Sequence, residues 1–249
     1  MHARDTEREY VENAIRGGLK ILGFSDHTPY PFCNGYISPS KMLPSQLEDY
    51  VDTVLSLRQE YRGEIEIHLG LETEYYPALW EDFLRMLEPY PIEYMIMGQH
   101  FNLNEHEGLV YNGYPSHGEE DLVQYCSQCM EGLETGKFLY LAHPDLLYYE
   151  GEASVYEQEM TALCRFCREH GIPLELNLLG VRDHRHYPNE AFWRIASQEG
   201  NTVIYGSDAH RAKDVFSPED IRRADLFLEK CGIPQERLLH TLPLQEFLR

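Results

Sequence analysis

Histidine, aspartate and glutamate recur in this chain at one kind of place, the end of a short apolar run. In order, the run ends read Ser25-Asp26-His27, Leu71-Glu72-Thr73-Glu74, Gly98-Gln99-His100, Ala142-His143-Pro144-Asp145, Asn177 and Gly206-Ser207-Asp208-Ala209-His210. All but the Asn177 end carry a side chain able to ligate a metal. Imidazole nitrogens and carboxylate oxygens suit zinc, manganese or iron. Carboxylates gathered without counter-charge repel one another strongly at short range, and two or three divalent cations would resolve that conflict. A carboxylate such as Glu72 could then bridge two metals about 3.5–4 Å apart, the geometry that polarises a phosphoryl oxygen and generates hydroxide at neutral pH. The reaction class this indicates is metal-assisted hydrolysis. Any one of these histidines alone could equally be a core imidazole satisfied by a backbone carbonyl. The metal reading is carried by His27, His100, His143 and His210 occurring together with Glu72 and Asp208.

Such residues are distant in sequence, so the elements that bear them must converge. The apolar runs are Leu19 to Phe24, Glu64 to Leu71, Tyr94 to Met97, Phe138 to Ala142, Pro173 to Leu178 and Thr202 to Tyr205. Near-continuous hydrophobicity in short segments predicts parallel strands covered on both faces. Helices with recognisable starts separate them: Thr6 before Glu9, Ser45 before Glu48 and Ser154 before Glu157 each match a capping box. The first helix is predicted from about Glu7 to Arg16, stopping at Gly17-Gly18, with Tyr10, Val11, Ala14 and Ile15 on its buried stripe. Repeated strand-then-helix order points to a (β/α) barrel, whose C-terminal face collects side chains from separate strands into one pocket.

The series GFSDH, GLETEY, GQHF, AHPD, LELN and GSDAH resembles the PHP metal-dependent phosphoesterases, most closely the histidinol-phosphate phosphatase branch. The resemblance spans nearly the whole chain. It implies an α/β fold, a distorted (β/α)7 TIM-like barrel of the PHP type, with a trinuclear metal site and therefore two or three divalent ions (Zn, Mn or Fe). By motif match, His27, Glu72, His100, His143, Asp208 and His210 stand at metal-ligand positions, and His2 resembles a further ligand. Asp208 and His210 are also expected to be catalytic. Asp26 and Asp145, and with them Glu74, are expected to orient ligand imidazoles. Arg182 resembles a phosphate-binding arginine of this branch, and its planar fork suits a pair of phosphate oxygens. Arg185, His184 and His186 share its loop, with Arg185 the second phosphate candidate.

Two departures from the pattern qualify what it implies. Family members open with a strand ending in a His-x-His pair ahead of the position of His2, and this chain begins after it. The first strand and two ligands are thus expected to be missing, either because Met1 is internal to a longer reading frame or because the chain is a degenerate, non-catalytic metal-binding relative. In some relatives a second arginine follows the His-Pro-Asp motif, where this chain has Leu147-Tyr148-Tyr149. That aromatic pair could stack on an imidazole or another flat group. The expected reaction is hydrolysis of L-histidinol phosphate in histidine biosynthesis, with another small phosphate ester or nucleotide as the alternative.

Composition narrows the partners. With 42 acidic against 21 basic residues, the net charge of −21 disfavours nucleic-acid backbones and anionic membranes. A small phosphorylated substrate stays open, because metals or local arginines reverse the sign within one pocket. No membrane-length apolar stretch or export signal is evident, so the expectation is a cytoplasmic protein with reduced thiols, forming one domain over residues 1–249. Cys126-x-x-Cys129 and Cys164-x-x-Cys167 superficially spell a four-cysteine zinc site. Each pair instead falls on an apolar helical stripe, which predicts small buried hydrophobes. His68, His106, His117, His170 and His240 are expected to be structural or solvated. A glycine-rich phosphate loop, a serine elbow and an HExxH helix are all lacking.

Overall fold

Parallel strands need both faces covered and a crossover between neighbours, and the chain supplies helices at the intervals this requires. The computed structural model describes residues 5–32, 35–106 and 110–244; His2 lies outside them. The order is α1 (Glu7–Gly17), β1 (Ile21–His27), α2 (Leu47–Glu60), β2 (Glu66–Thr73), α3 (Trp80–Leu87), β3 (Tyr94–Met97), α4 (Glu119–Glu134), α5 (Ala153–Glu169), β4 (Leu174–Asn177), α6 (Leu178–Asp183), α7 (Glu190–Glu199), β5 (Val203–Gly206), α8 (Pro218–Cys231) and β6 (Leu238–Leu239).

The strands form two parallel sheets, β1-β2-β3 and β4-β5-β6. The run predicted as a strand over Phe138 to Ala142 is reduced to bridges at Leu141, one to Met97 and one to Leu174. Regular pairing stops there because His143 turns to φ +31 and Pro144 has no N–H to donate. The segment nevertheless joins the sheets: Ala142 N–H donates to Met97 O at 2.7 Å, and Leu141 N–H to Pro173 O at 3.1 Å. No pairing of β1 with β6 closes the array among the described residues. A cavity of about 1150 Å³ lies on that side, bounded by Ile21 and Phe24 of β1, Tyr205 of β5 and the chain from His240 to Leu244.

Helix starts agree with expectation only in part. Thr6 and Glu9 form the predicted reciprocal cap, Thr6 N–H reaching Glu9 Oε2 at 2.8 Å, and Gly18 closes α1 at φ +84. Ser45 does not cap α2. It sits inside a 3-10 turn over Pro44–Gln46, where Leu43 N–H donates to Gln46 Oε1 at 2.7 Å. Ser154 likewise lies within the first turn of α5, after Glu152. In both cases helical backbone begins ahead of the expected cap, at Pro44 and at Ala153.

Helices α4 and α5 pack together through the cysteine stripes. Leu122, Cys126, Cys129 and Leu133 are buried against Tyr156, Met160, Cys164 and Cys167, with Cys126 Sγ 3.9 Å from Met160 Sδ. Burial raises all four thiols above the ordinary cysteine value, opposite to what zinc ligation requires. No described helix is long and apolar enough to cross a membrane. In the native protein these four thiols should resist a disulfide reagent such as DTNB and react once guanidinium unfolds the chain. Rapid native labelling at any of them, mapped by mass spectrometry, would contradict this packing.

Candidate metal centre

Strand register assembles the site. In the β1–β2 pair His27 lies directly opposite Glu72, the last residues but one of β2 meeting the end of β1. Gly98, just beyond β3, donates its N–H to Thr73 O at 3.2 Å, which brings the following His100 beside the same carboxylate. One donor atom from each of His27, Glu72 and His100 lies within 4.8 Å of the others. His143 completes the ring, its Nε2 2.9 Å from Glu72 Oε1. Glu72 is therefore faced by three imidazoles, with His100 Nε2 at 3.6 Å and His27 Nδ1 at 3.9 Å. The rings meet edge to face, His27 to His100 at 5.1 Å and His100 to His143 at 4.9 Å between centroids.

Glycine makes this crowding possible, since a Cβ at Gly98 would overlap the Glu72 carboxylate. Gly206 leaves room for Glu175 in the same way. Glu175, buried in β4, was not singled out from the sequence. Its Oε2 accepts the His143 backbone N–H at 2.9 Å and Asn177 Nδ2 at 3.1 Å. Asn177 Nδ2 also reaches Asp208 Oδ2 at 3.0 Å, and His210 Nδ1 is 3.4 Å from Asp208 Oδ1. Hydrogen bonds thus run from His143 through Glu175 and Asn177 to Asp208. His143 and Asp208 both adopt positive φ, +31 and +41, strain of the kind that persists where a site over-determines the backbone.

Electrostatics follow from burying acid and imidazole together. Burial, only partly offset by His143, raises the Glu72 carboxyl. For His143, burial is outweighed by Glu72, which carries the imidazole up to about 9. Both shifts mean that the pair retains a proton the separate groups would release. His100 moves the other way: burial, then the neighbouring His143 and Lys41, holds it well below the usual histidine value, so the ring is neutral at pH 7 with one nitrogen lone pair. Burial raises Glu175 to about 7. His143 Nδ1 is buried without a hydrogen-bond partner among the described residues. Neutral or deprotonatable imidazoles around a shared carboxylate, with a buried orphan nitrogen, fit a divalent cation.

Other expected residues divide. Glu74 Oε1 lies 3.0 Å from His100 Nδ1, as an orienting carboxylate would. The Asp26 carboxylate accepts the adjacent His27 backbone N–H at 2.8 Å. Asp145 is not directed at an imidazole: its Oδ2 accepts Asn189 N–H at 2.5 Å and Trp193 Nε1 at 3.1 Å, tying α7 to the loop. Arg182, expected to bind phosphate, is engaged elsewhere, with Nε 2.9 Å from Asp220 Oδ2 and Nη2 3.3 Å from Asp214 O. Asp214, ahead of α8, and Asp220, in its first turn, flank the guanidinium, whose Nη1 is buried without a hydrogen-bond partner among the described residues. Arg185 Nη1 donates to Tyr187 OH at 2.7 Å, and the Tyr187 ring lies 6.0 Å from that of His143. Tyr148 does stack on an imidazole, but on His186 of its own chain, at 4.5 Å and 5°.

A family model described as the PHP domain matches residues 1–178. Among curated proteins, the histidinol-phosphatase of Bacillus subtilis is 26% identical over 260 residues, covering 92% of this chain and 94% of that one. The probable histidinol-phosphatase of Deinococcus radiodurans is 26% identical over 228 residues, covering 86% and 84%. Among solved structures, histidinol phosphate phosphatase of Lactococcus lactis subsp. lactis, complexed with zinc, L-histidinol and phosphate, superposes with a TM-score of 0.72 at 18% identity, over 99% of this chain and 93% of that one. The site geometry itself makes a prediction. Gly98→Ala must displace Glu72 or the strand end, so denaturant unfolding should show a loss of about 1–3 kcal/mol; unchanged stability would mean that Glu72 does not occupy this position.

Proposed function

Because the chain belongs to the PHP domain family, we propose that it is a metal-dependent phosphomonoesterase that hydrolyses L-histidinol phosphate to L-histidinol and phosphate, in histidine biosynthesis. The observation that carries this is the Glu72 carboxylate facing His27, His100 and His143 at strand ends. The curated relatives named for histidinol phosphate and the zinc, histidinol and phosphate of the Lactococcus lactis complex support the substrate and the use of divalent metal.

In this reading His27, Glu72, His100 and His143 hold divalent ions together with Asp208 and His210, and zinc is the first candidate among zinc, manganese and iron, with two or three bound. When bound, such ions supply Lewis acidity toward a phosphoryl oxygen and a nucleophile drawn from water at neutral pH. The chain's own residues fix that chemistry in place. Glu72 would be the carboxylate ligand shared among the three imidazoles; Glu74 holds the His100 ring at Nδ1; Glu175 pins the His143 backbone, and Asn177 aims Asp208. Arg185, braced on Tyr187 beside His143, provides a cation for the phosphate. Arg182 braces α6 against the Asp214 carbonyl and the first turn of α8. As for the fold, we infer one PHP-type domain over 1–249 whose parallel array curves into a distorted (β/α)7 barrel. Its support is the parallel order β1-β2-β3 and β4-β5-β6 with the Leu141 bridges to Met97 and Leu174 between them; among the described residues no pairing of β1 with β6 closes the array.

A second reading, hydrolysis of a different small phosphate ester, is favoured by the diversion of Arg182 and by Tyr148 stacking on His186. A panel of phosphate esters at equal metal loading decides between them. Histidinol phosphate should be turned over fastest, chelation should abolish the activity, and zinc or manganese should restore it. A large preference for another ester would move the assignment to the second reading. Activity that survives exhaustive chelation would remove the metal from the mechanism. Separately, His143→Ala and Asp208→Ala should lower kcat by orders of magnitude with the fold retained by circular dichroism. Arg185→Ala should chiefly raise KM, whereas Arg182→Ala should cost about 3 kcal/mol of stability by leaving buried Asp220 unpaired.

A further inference from the structure

The segment between β1 and α2 delivers a lysine into the protein interior. Its backbone is anchored on the metal centre, since Met42 N–H donates to His27 O at 3.4 Å, and Lys41 N–H meets Ser38 Oγ at 3.3 Å. The Lys41 side chain is 1% exposed, as are those of Glu74 and Glu105. Its Nζ lies 2.6 Å from Glu74 Oε1 and 2.6 Å from Glu105 Oε2. Tyr76 and Phe101 close around the ammonium, their ring centroids 5.9 and 5.8 Å from it, and Tyr76 OH donates to Glu105 Oε2 at 3.3 Å.

Such a triad is a poor device for stability. Removing three charges from water costs several kcal/mol per ion, and apolar residues of similar volume often serve a core equally well. Burial would lower the Lys41 ammonium, but Glu74 and Glu105 hold it above the ordinary lysine value, so the positive charge is present between the two carboxyl groups. Its outlet is Glu74 Oε1, which accepts from Lys41 and also lies 3.0 Å from His100 Nδ1. An acceptor at Nδ1 keeps the hydrogen there and leaves the Nε2 lone pair, 3.6 Å from Glu72 Oε1, facing the centre.

We propose that Lys41 is a positioning residue of the metal centre: by clamping Glu74 against Glu105 it fixes the carboxylate that sets the tautomer and aim of His100. This rests on the reading of His27, Glu72 and His100 as ligands of a divalent ion. It assigns the segment from Ser38 to Met42 a part in metal affinity, although no atom of Lys41 touches the metal or the substrate.

The test titrates zinc into the chelator-stripped full-length chain by calorimetry, and follows cobalt(II) by its absorption spectrum. Lys41→Met is compared with wild type and with Lys41→Met/Glu105→Gln, which removes the second acidic partner together with the lysine. Both variants should lose about 10–100-fold in affinity at one site and show an altered cobalt spectrum, effects that a loss of thermal stability alone would not produce. Wild-type zinc affinity and spectrum in a folded variant would overturn the proposal and leave the metal reading intact. A wild-type chain that binds no zinc would overturn the metal reading itself. Where a variant does not fold, nitrogen-15 shifts of His100 in the zinc-loaded wild-type protein decide: Nδ1–H is expected, and Nε2–H would overturn the clamp.

Discussion

A carboxylate held out of water among three imidazoles is the constraint that the surrounding structure satisfies. Glu72 is tolerated there because its neighbours are nitrogen donors rather than apolar groups, and because a divalent cation can neutralise what the imidazoles leave over. Every nearby device serves this arrangement. Parallel register sets His27 opposite Glu72; the missing side chain of Gly98 gives the carboxylate its space; positive backbone angles at His143 and Asp208 turn those residues inward. A strand slipped by one residue would send Glu72 to the opposite face and dissolve the centre.

Three cations near the site serve different purposes, and their environments explain the division. Lys41 is sealed between two carboxylates and cannot meet a substrate. Arg182 is spent on Asp220 and the Asp214 carbonyl. Arg185 is hydrogen-bonded to a tyrosine hydroxyl, with Asp183 at 3.9 Å and the charge of Asp208 also acting on it. In a chain of net charge −21, any attraction of a phosphate would have to come from local charge against an unfavourable long-range field.

The cysteine pairs and the aromatic pair after the His-Pro-Asp motif show the same logic from the opposite side. Both patterns are compatible with ligand chemistry when seen as strings. Packing turns the first into the seam between α4 and α5, and gives the second an internal partner in His186. Chemistry-bearing residue types become functional only where the fold leaves their polar atoms directed at a shared space.

Much of the arrangement is legible in the sequence, because periodicity is local. Apolar runs ending in His, Glu or Asp mark strand termini, and parallel strand termini converge, so His27, Glu72, His100 and His143 could be named together. Thr6, Glu9 and Gly18 were likewise readable, since capping depends on a few adjacent residues. What no local pattern encodes is long-range pairing. That Asp214 and Asp220 flank Arg182, and that Asn189 and Trp193 hold Asp145, is set by the fold alone. Glu175 left one faint signal, an ionisable residue inside an apolar strand. Lys41 and Glu105 left none, because a buried ion pair is defined by which distant segments meet and how completely they exclude water, and only the tertiary structure decides either.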